Sequence, residues 1–411
     1  MTGSTAPEHV VVVGASLAGM RAVQAAREVG YTGRLTLLGE ERHLPYDRPP
    51  LSKEYLAAGP PTTAHEFPEA AGLAAALDLD LRLGVRALRL DPGTHTVTTT
   101  HGDIGYDAVL LTTGVRARRL PGTEHLAGVR VLRDLDDAVA IRAALDAGPR
   151  VVVIGAGFIG AEVASAAVRR GLAPVVVEAA PTPLVRAVGA AAGAGLARMH
   201  ERHGVELRCG VAVTELVGER RVEAVRLADG SELPADLVVV GIGATPATGW
   251  LEGSGLRLED GVVCDQHLRA APDVWAAGDV ARWANPLFDR TIRLEHWTNA
   301  GEQAAHAMEN LLAPGSATPY RHVPYFWSDW YGQRIQFAGQ PVGEPTVVAG
   351  GWDRDDLVAL YRDGERLAGA LTVNRRGDIM KYRARIARRG TWSAALDLAA
   401  QRTAATAPAR A

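Results

Sequence analysis

After a polar leader ending at Glu8, the chain turns abruptly apolar at His9-Val10-Val11-Val12-Val13. An unbroken β-branched run without polar alternation predicts a strand covered on both faces, as in a parallel sheet flanked by helices. The run ends in Gly14-Ala15-Ser16-Leu17-Ala18-Gly19 and continues from Met20 to Glu28 in good helix formers stopped by Gly30. Leu35 to Glu40 then supplies a second strand. The same order returns in Val151 to Ile154, Gly155-Ala156-Gly157-Phe158-Ile159-Gly160, a helix through Arg170, and the strand Val175 to Glu178. Two units of strand, glycine-rich turn, helix and strand are implied.

Between them, Thr94 to Thr100 alternates, Asp107 to Leu111 is apolar, and Pro121-Gly122 is a natural punctuation point. From about His322 the pattern becomes aromatic and alternating, as in Gln333 to Ala338 and Leu357 to Tyr361, predicting short antiparallel strands. The Ala/Gly-rich run Ala187 to Ala197 reads as a closely packed helix, and from Gln401 periodicity is lost.

Composition narrows the function. Hydrophobic residues make up 47% and charged residues 22%, ordinary for a globular chain. With Lys plus Arg at 44 and Asp plus Glu at 47, the net charge of −3 gives no pull toward nucleic acid or anionic lipid. No stretch reaches the roughly 18 apolar residues of a membrane span and no leader has a basic, then apolar pattern, so a cytoplasmic location without a membrane partner is expected. Cys209 and Cys264 lie far apart, outside any disulfide framework or metal spacing, and no metal is expected.

Gly155-x-Gly157-x-x-Gly160 sits between a strand and a helix, with Glu178 closing the next strand at close to the spacing of roughly 20 residues that a dinucleotide fingerprint requires. The glycines permit a tight turn, backbone approach to a pyrophosphate and close packing of helix on strand. Glu178 should bind a ribose diol and repel a 2′-phosphate. No arginine follows before Arg186, so NADH is expected over NADPH. In the first unit Ser16 stands at the second glycine's place, with Glu40 at the ribose position. Two such units with one nicotinamide to bind invite a flavin dinucleotide in the other.

Trp275-Ala276-Ala277-Gly278-Asp279-Val280 and Leu110-Leu111-Thr112-Thr113-Gly114 resemble motifs of the two-dinucleotide flavoprotein reductases. There the Gly-Asp carboxylate binds the ribityl chain of FAD and the Thr-Gly strand closes the adenine side. Leu44-Pro45-Tyr46-Asp47-Arg48-Pro49-Pro50-Leu51-Ser52-Lys53 and Leu294-Glu295-His296-Trp297-Thr298-Asn299-Ala300 narrow the resemblance to the FAD-dependent NADH:ferredoxin reductases, the family of putidaredoxin reductase, rhodocoxin reductase and the reductase components of dioxygenases. It spans the chain from Val10 to about Gly390.

The resemblance implies an α/β fold of two Rossmann-like, glutathione-reductase-like domains plus a C-terminal α+β domain. Because Gly241 to Pro246, with Gly243, resembles the crossing back to the FAD domain, that domain is expected in two parts, 8–119 and 243–321. The NAD domain then spans 120–242, the C-terminal domain 322–400, and 401–411 is a disordered tail. The resemblance places Arg48 and Pro49 on the flavin, Lys53 near N5 and paired with Glu162, His296-Trp297 at the pyrimidine end, and Trp327 beside the ring.

It also implies hydride transfer from NADH to FAD. Single electrons would then go to a small iron–sulfur ferredoxin serving a haem-thiolate monooxygenase or ring-hydroxylating dioxygenase. Arg290, Arg293 and Arg321 are candidates for docking an acidic ferredoxin. The segment after the second strand lacks the redox cysteine of NADH oxidases, peroxidases and disulfide reductases, and the pattern is not that of a flavin monooxygenase. The alternative of a different class is a redox sensor, of the type of apoptosis-inducing factor, that holds FAD and NADH but relays electrons slowly.

Overall fold

In the computed structural model, which describes residues 6–59, 67 and 72–406, the valine run forms the strand His9–Val13, with Val10, Val11 and Val12 wholly buried. It lies inside a six-stranded sheet ordered Arg269–Ala271, Val274–Ala276, Ala108–Leu111, His9–Val13, Arg34–Gly39, Leu79–Leu83. All neighbours run parallel except the first pair. The helix Leu17–Glu28 covers the sheet with Met20, Ala22, Val23 and Ala26, and packs against a later helix, Trp297–Leu312. Parallel register brings the carboxyl ends of three strands level, since Val13 pairs with Leu111 and Leu111 with Ala276.

The second fingerprint builds a five-stranded parallel sheet ordered Glu206–Cys209, Val175–Glu178, Val151–Ile154, Leu237–Val240, Val129–Arg130. In the Ala/Gly-rich helix Ala190–Arg202, a Cβ on Gly195 would meet the Trp352 ring at 2.2 Å and one on Gly193 the Pro183 carbonyl at 2.1 Å. The run is small because an indole and a backbone lie against it.

The C-terminal segment forms a five-stranded antiparallel sheet, Tyr325–Trp330, Gln333–Gly339, Arg366–Val373, Leu357–Asp363, Thr346–Gly350, followed by helices Arg376–Ala387 and Trp392–Thr406.

Compactness divides the chain into two units, Met1–Asp47 with Ala64–Arg116 and Ala244–His322, and Arg48–Thr63 with Ala117–Gly243 and Val323–Ala411. Compactness cuts across two of the expected boundaries, and the expected tail is corrected. Residues 48–59 leave the expected first domain, 8–119, for the second unit, because Arg142 donates to the carbonyls of Tyr55 and Gly59 and Arg170 to those of Leu56 and Ala57. The segment expected as a separate domain at 322–400 shares a core with the NAD-type sheet's helices. Phe326, Trp330, Phe337 and Tyr361 pack with Ala161, Ala192, Leu196 and Met199. The expected tail from 401 is helical through Thr406, while 407–411 lies outside the described residues. Among the described residues, no helix is long and apolar enough to cross a membrane.

Candidate functional site

In the first unit, three loops meet at the level carboxyl ends of the sheet. Gly14 takes φ +124°, and a Cβ there would lie 2.3 Å from the Thr112 carbonyl oxygen; a Cβ on Gly19 would lie 2.0 Å from that of Gly14. These two glycines let helix, strand end and neighbouring strand touch backbone to backbone. Ser16 sits at the N-cap with φ −116°, where a side chain is accommodated, yet its hydroxyl does not cap the helix. Ala15, Leu17 and Ala18 complete the turn.

Thr112 Oγ1 donates to the carbonyls of Val13 and Gly14 at 3.0 Å, and Thr113 Oγ1 to that of Ala247 at 3.1 Å, fixing the strand end before Gly114. Gly278, at φ +76°, donates its N–H to Gln303 Oε1 at 2.8 Å and presents Asp279. Glu40, closing the second strand, is ion-paired with Arg116 at 2.7 Å.

His296 precedes the helix Trp297–Leu312; burial and the charge of His322 push its imidazole down to about 3, so it is neutral at pH 7. Trp297, partly exposed, donates from Nε1 to Asp47 Oδ1 at 2.6 Å. Of the arginines expected to dock a partner, Arg290 and Arg321 are exposed. Arg293 is not: only 13% of its side chain is accessible, and it is engaged by Asp260, Glu295 and the Asp279 carbonyl.

In the second unit, a Cβ on Gly155 would meet the Gly241 carbonyl oxygen at 2.4 Å, and one on Gly160 would meet that of Gly155 at 2.0 Å. Gly157 differs: its φ is −77° and its Cβ would find nothing nearer than 3.8 Å. The protein does not need a glycine there, so the room it leaves faces outward, as close approach by a pyrophosphate requires. Phe158 packs at 4.6 Å from Phe326, while Ile159 is exposed.

Glu178 is pinned by two backbone donors, Ala156 N–H to Oε2 and Ala180 N–H to Oε1, both at 2.9 Å. Gly243 takes φ +97°, and a Cβ there would lie 3.8 Å from Arg186, which the sequence reading gave no role at the site. Cys209 pairs in register with Glu178 and Cys264 is buried; burial pushes both thiols up, which suits neither to thiolate chemistry.

The same unit holds the Arg48–Lys53 segment. Arg48 donates to the Arg133 carbonyl at 2.7 Å, and Lys53 Nζ to the Pro49 carbonyl at 3.2 Å and to Glu162 Oε2 at 2.8 Å. The lysine is 12% exposed and the glutamate 3%, so this is a buried pair and not two surface charges. Ser52 and Ser328 both donate hydroxyls to Glu162. Sequence reasoning missed these serines; a small polar residue between tryptophans in an alternating strand, as at Trp327-Ser328-Asp329-Trp330, was the available sign of a buried hydrogen bond. Trp327 is half-buried, with the Arg334 guanidinium 6.0 Å from its ring centroid.

Both loops fit a dinucleotide phosphate: each glycine turn opens onto a twelve-residue helix's N-terminus, with a carboxylate at the end of the following strand. The architecture is that of an oxidoreductase with two dinucleotide-binding units. Residues 8–304 match the family model of the pyridine nucleotide-disulphide oxidoreductases, and 325–404 match a reductase C-terminal domain. The chain is 35% identical to the ferredoxin–NAD(+) reductase component of the p-cumate 2,3-dioxygenase system of Pseudomonas putida, over 89% of this chain and 90% of that one.

Among solved structures it resembles the ferredoxin reductase for the CYP199A2 system from Rhodopseudomonas palustris, with 33% identity, TM-score 0.90 and coverage of 97% and 100% of the two chains. It also resembles the reductase in the covalent putidaredoxin reductase–putidaredoxin complex, with 32% identity, TM-score 0.88 and coverage of 98% and 100%. The chain belongs to the pyridine nucleotide-disulphide oxidoreductase family, in the branch that carries the reductase C-terminal domain. It is an FAD-dependent oxidoreductase that uses NADH.

Proposed function

We propose that the chain is the NADH-dependent ferredoxin reductase of a bacterial oxygenase system, acting in the cytoplasm. The observation that carries this reading is Lys53, held by the buried Glu162 in a segment without cysteine. A cationic group there suits a flavin that passes electrons on directly, without a thiol relay. The relatives are reductase components of oxygenase systems, which favours turnover over the sensor alternative.

In this reading Gly14, Ala15, Ser16, Leu17, Ala18 and Gly19 hold the FAD pyrophosphate, Glu40 the adenosine ribose, and Thr112, Thr113 and Gly114 the adenine side. Gly278 and Asp279 hold the ribityl chain. By the family resemblance, His296 and Trp297 in the first unit and Arg48, Pro49, Lys53 and Trp327 in the second are the candidates for contact with the ring system. Gly155, Gly157, Phe158, Ile159, Gly160 and Gly243 receive NADH, with Glu178 on its ribose. The parts 8–119, apart from 48–59, and 243–321 then serve FAD, and 120–242 serves NAD. Bound FAD supplies the conversion between a two-electron hydride donor and a one-electron acceptor.

The chain's own contribution is positioning and charge. Glu178 is already oriented by Ala156 and Ala180, and its carboxylate accepts a ribose diol but opposes a 2′-phosphate. Neutral His296 moves no proton at pH 7. Lys53 supplies positive charge whose desolvation Glu162 offsets. Anaerobic mixing of the purified holoprotein with NADH and, separately, NADPH tests the reading. Rapid loss of flavin absorbance with NADH and slow loss with NADPH is expected; equal rates would remove the role given to Glu178.

A further inference from the structure

We infer that Ser52 and Ser328 are positioning residues that hold Glu162, and through it Lys53, in a single orientation; this deepens the reading above and rests on it. Glu162 is buried on the helix Phe158–Arg169, and its two oxygens are divided between two parts of the unit. Oε2 receives Lys53 Nζ and the Ser52 hydroxyl from the Arg48–Lys53 segment. Oε1 receives the Ser328 hydroxyl and, at 3.4 Å, the Asp329 N–H from the strand Tyr325–Trp330.

The direction of each hydrogen bond is fixed by groups that can only donate. Trp330 Nε1–H points at Ser328 Oγ at 2.9 Å, so the one proton of that hydroxyl is left for Glu162. Lys53 Nζ likewise lies 3.5 Å from Ser52 Oγ, and the Ser52 hydroxyl donates to Glu162 Oε2, a much nearer acceptor than the Pro49 carbonyl at 3.5 Å. Every contact to Glu162 is therefore a donor, an arrangement that only an ionised carboxylate satisfies in full.

Backbone anchoring limits how far either serine can move. Arg169 donates to the Lys53 carbonyl at 3.2 Å, and Arg142 and Arg170 grip the residues that follow. On the other side, Trp330 is wholly buried, and Tyr331, at φ +52°, is tied through its N–H to Ser165 Oγ at 2.8 Å and through its hydroxyl to His200 Nδ1 at 2.7 Å. The carboxylate is held from two rigid sides. Lys53, its long and flexible partner, takes its position from it.

The test uses the full-length holoprotein as wild type, Ser328→Ala, Ser328→Thr, Glu162→Met and the double variant Ser328→Ala with Glu162→Met. Two quantities are measured: the midpoint potential of the bound flavin, and the split between kcat and KM for NADH. Ser328→Ala is expected to shift the potential and lower kcat several-fold with KM unchanged, Ser328→Thr to restore both, and Ser328→Ala to add nothing once Glu162 is gone, because non-additivity marks residues acting through one another. Ser52→Ala provides the same cycle on the other oxygen if Ser328→Ala does not fold.

Wild-type potential and kcat in Ser328→Ala, or an effect that persists undiminished beside Glu162→Met, would overturn the inference while leaving the functional reading intact. A wild-type protein that NADH does not reduce would overturn both.

Discussion

Glu162 shows how much one side chain carries. Four donors converge on a carboxylate that lies almost out of reach of water, one of them the ammonium of Lys53. Removing it strips a largely buried cation of its counter-charge and two hydroxyls of their carboxylate acceptor, leaving Lys53 the Pro49 carbonyl at 3.2 Å, so Glu162→Met is expected to lower unfolding free energy by about 3 kcal/mol in urea titration.

Glu178 has a double duty, accepting two backbone N–H groups and meeting the ribose in the proposed function. Glu178→Ala should reduce the NADH-over-NADPH ratio of kcat/KM at least about tenfold, measured by steady-state kinetics.

His200 is wholly buried, faced by Tyr331, His203 and Trp330, and pushed down to about 4 by burial first and the charge of His203 second. In the unfolded chain it titrates near its ordinary value of about 6.5. The unfolded state therefore binds the extra proton between these values, and stability should fall as pH drops from about 6.5 toward 4, by up to about 3 kcal/mol. A pH series of urea titrations should show this slope, and His200→Gln should remove its share, leaving that of His296, which burial pushes down to about 3.

Among the elements, the two glycine turns separate what the fold needs from what a ligand needs. Gly160 touches the backbone of Gly155, so Gly160→Ala must push the helix off the strand; a Cβ on Gly157 would meet only the Gly241 carbonyl oxygen, at an unstrained 3.8 Å. Gly157→Ala is expected to keep the melting temperature of the wild type and raise KM for NADH, while Gly160→Ala lowers the melting temperature outright. Calorimetry with steady-state kinetics on both variants distinguishes the two. Equal melting temperatures would mean the close approach has no cost.

The strands bearing these turns were plain in the sequence, because valine runs buried on both faces leave no other reading. Strands at Arg34–Gly39 and Val175–Glu178 fell where the pattern put them. The attachment of 48–59 to the second unit was not legible, since it depends on arginine-to-carbonyl bonds between residues 83 to 116 positions apart. Nothing local marks such bonds. The end of the last helix was missed for a different reason: Ala-rich sequence has high helix propensity but no amphipathic period to reveal it.

For the whole molecule, the chain folds as two discontinuous units, each containing a sheet of mostly parallel strands with a glycine turn after one strand and a carboxylate at the end of the next. The C-terminal domain packs on the second unit's helices through Phe326, Trp330, Phe337 and Tyr361, a contact that a pattern of short alternating strands could not announce. Net charge of −3 offers no global attraction for an acidic partner, so any steering must come from local groups such as the exposed Arg290 and Arg321. Turnover with a ferredoxin should then decline as ionic strength rises, and insensitivity to salt would remove that docking face.

The most direct measurement of the central claim is anaerobic reduction of a small iron–sulfur ferredoxin by the purified holoprotein with NADH, followed by bleaching of the ferredoxin. The account predicts rapid bleaching that requires both the protein and NADH and proceeds through many turnovers. Reduction of the flavin by NADH with no transfer to any ferredoxin supplied would contradict it and return the chain to the sensor reading.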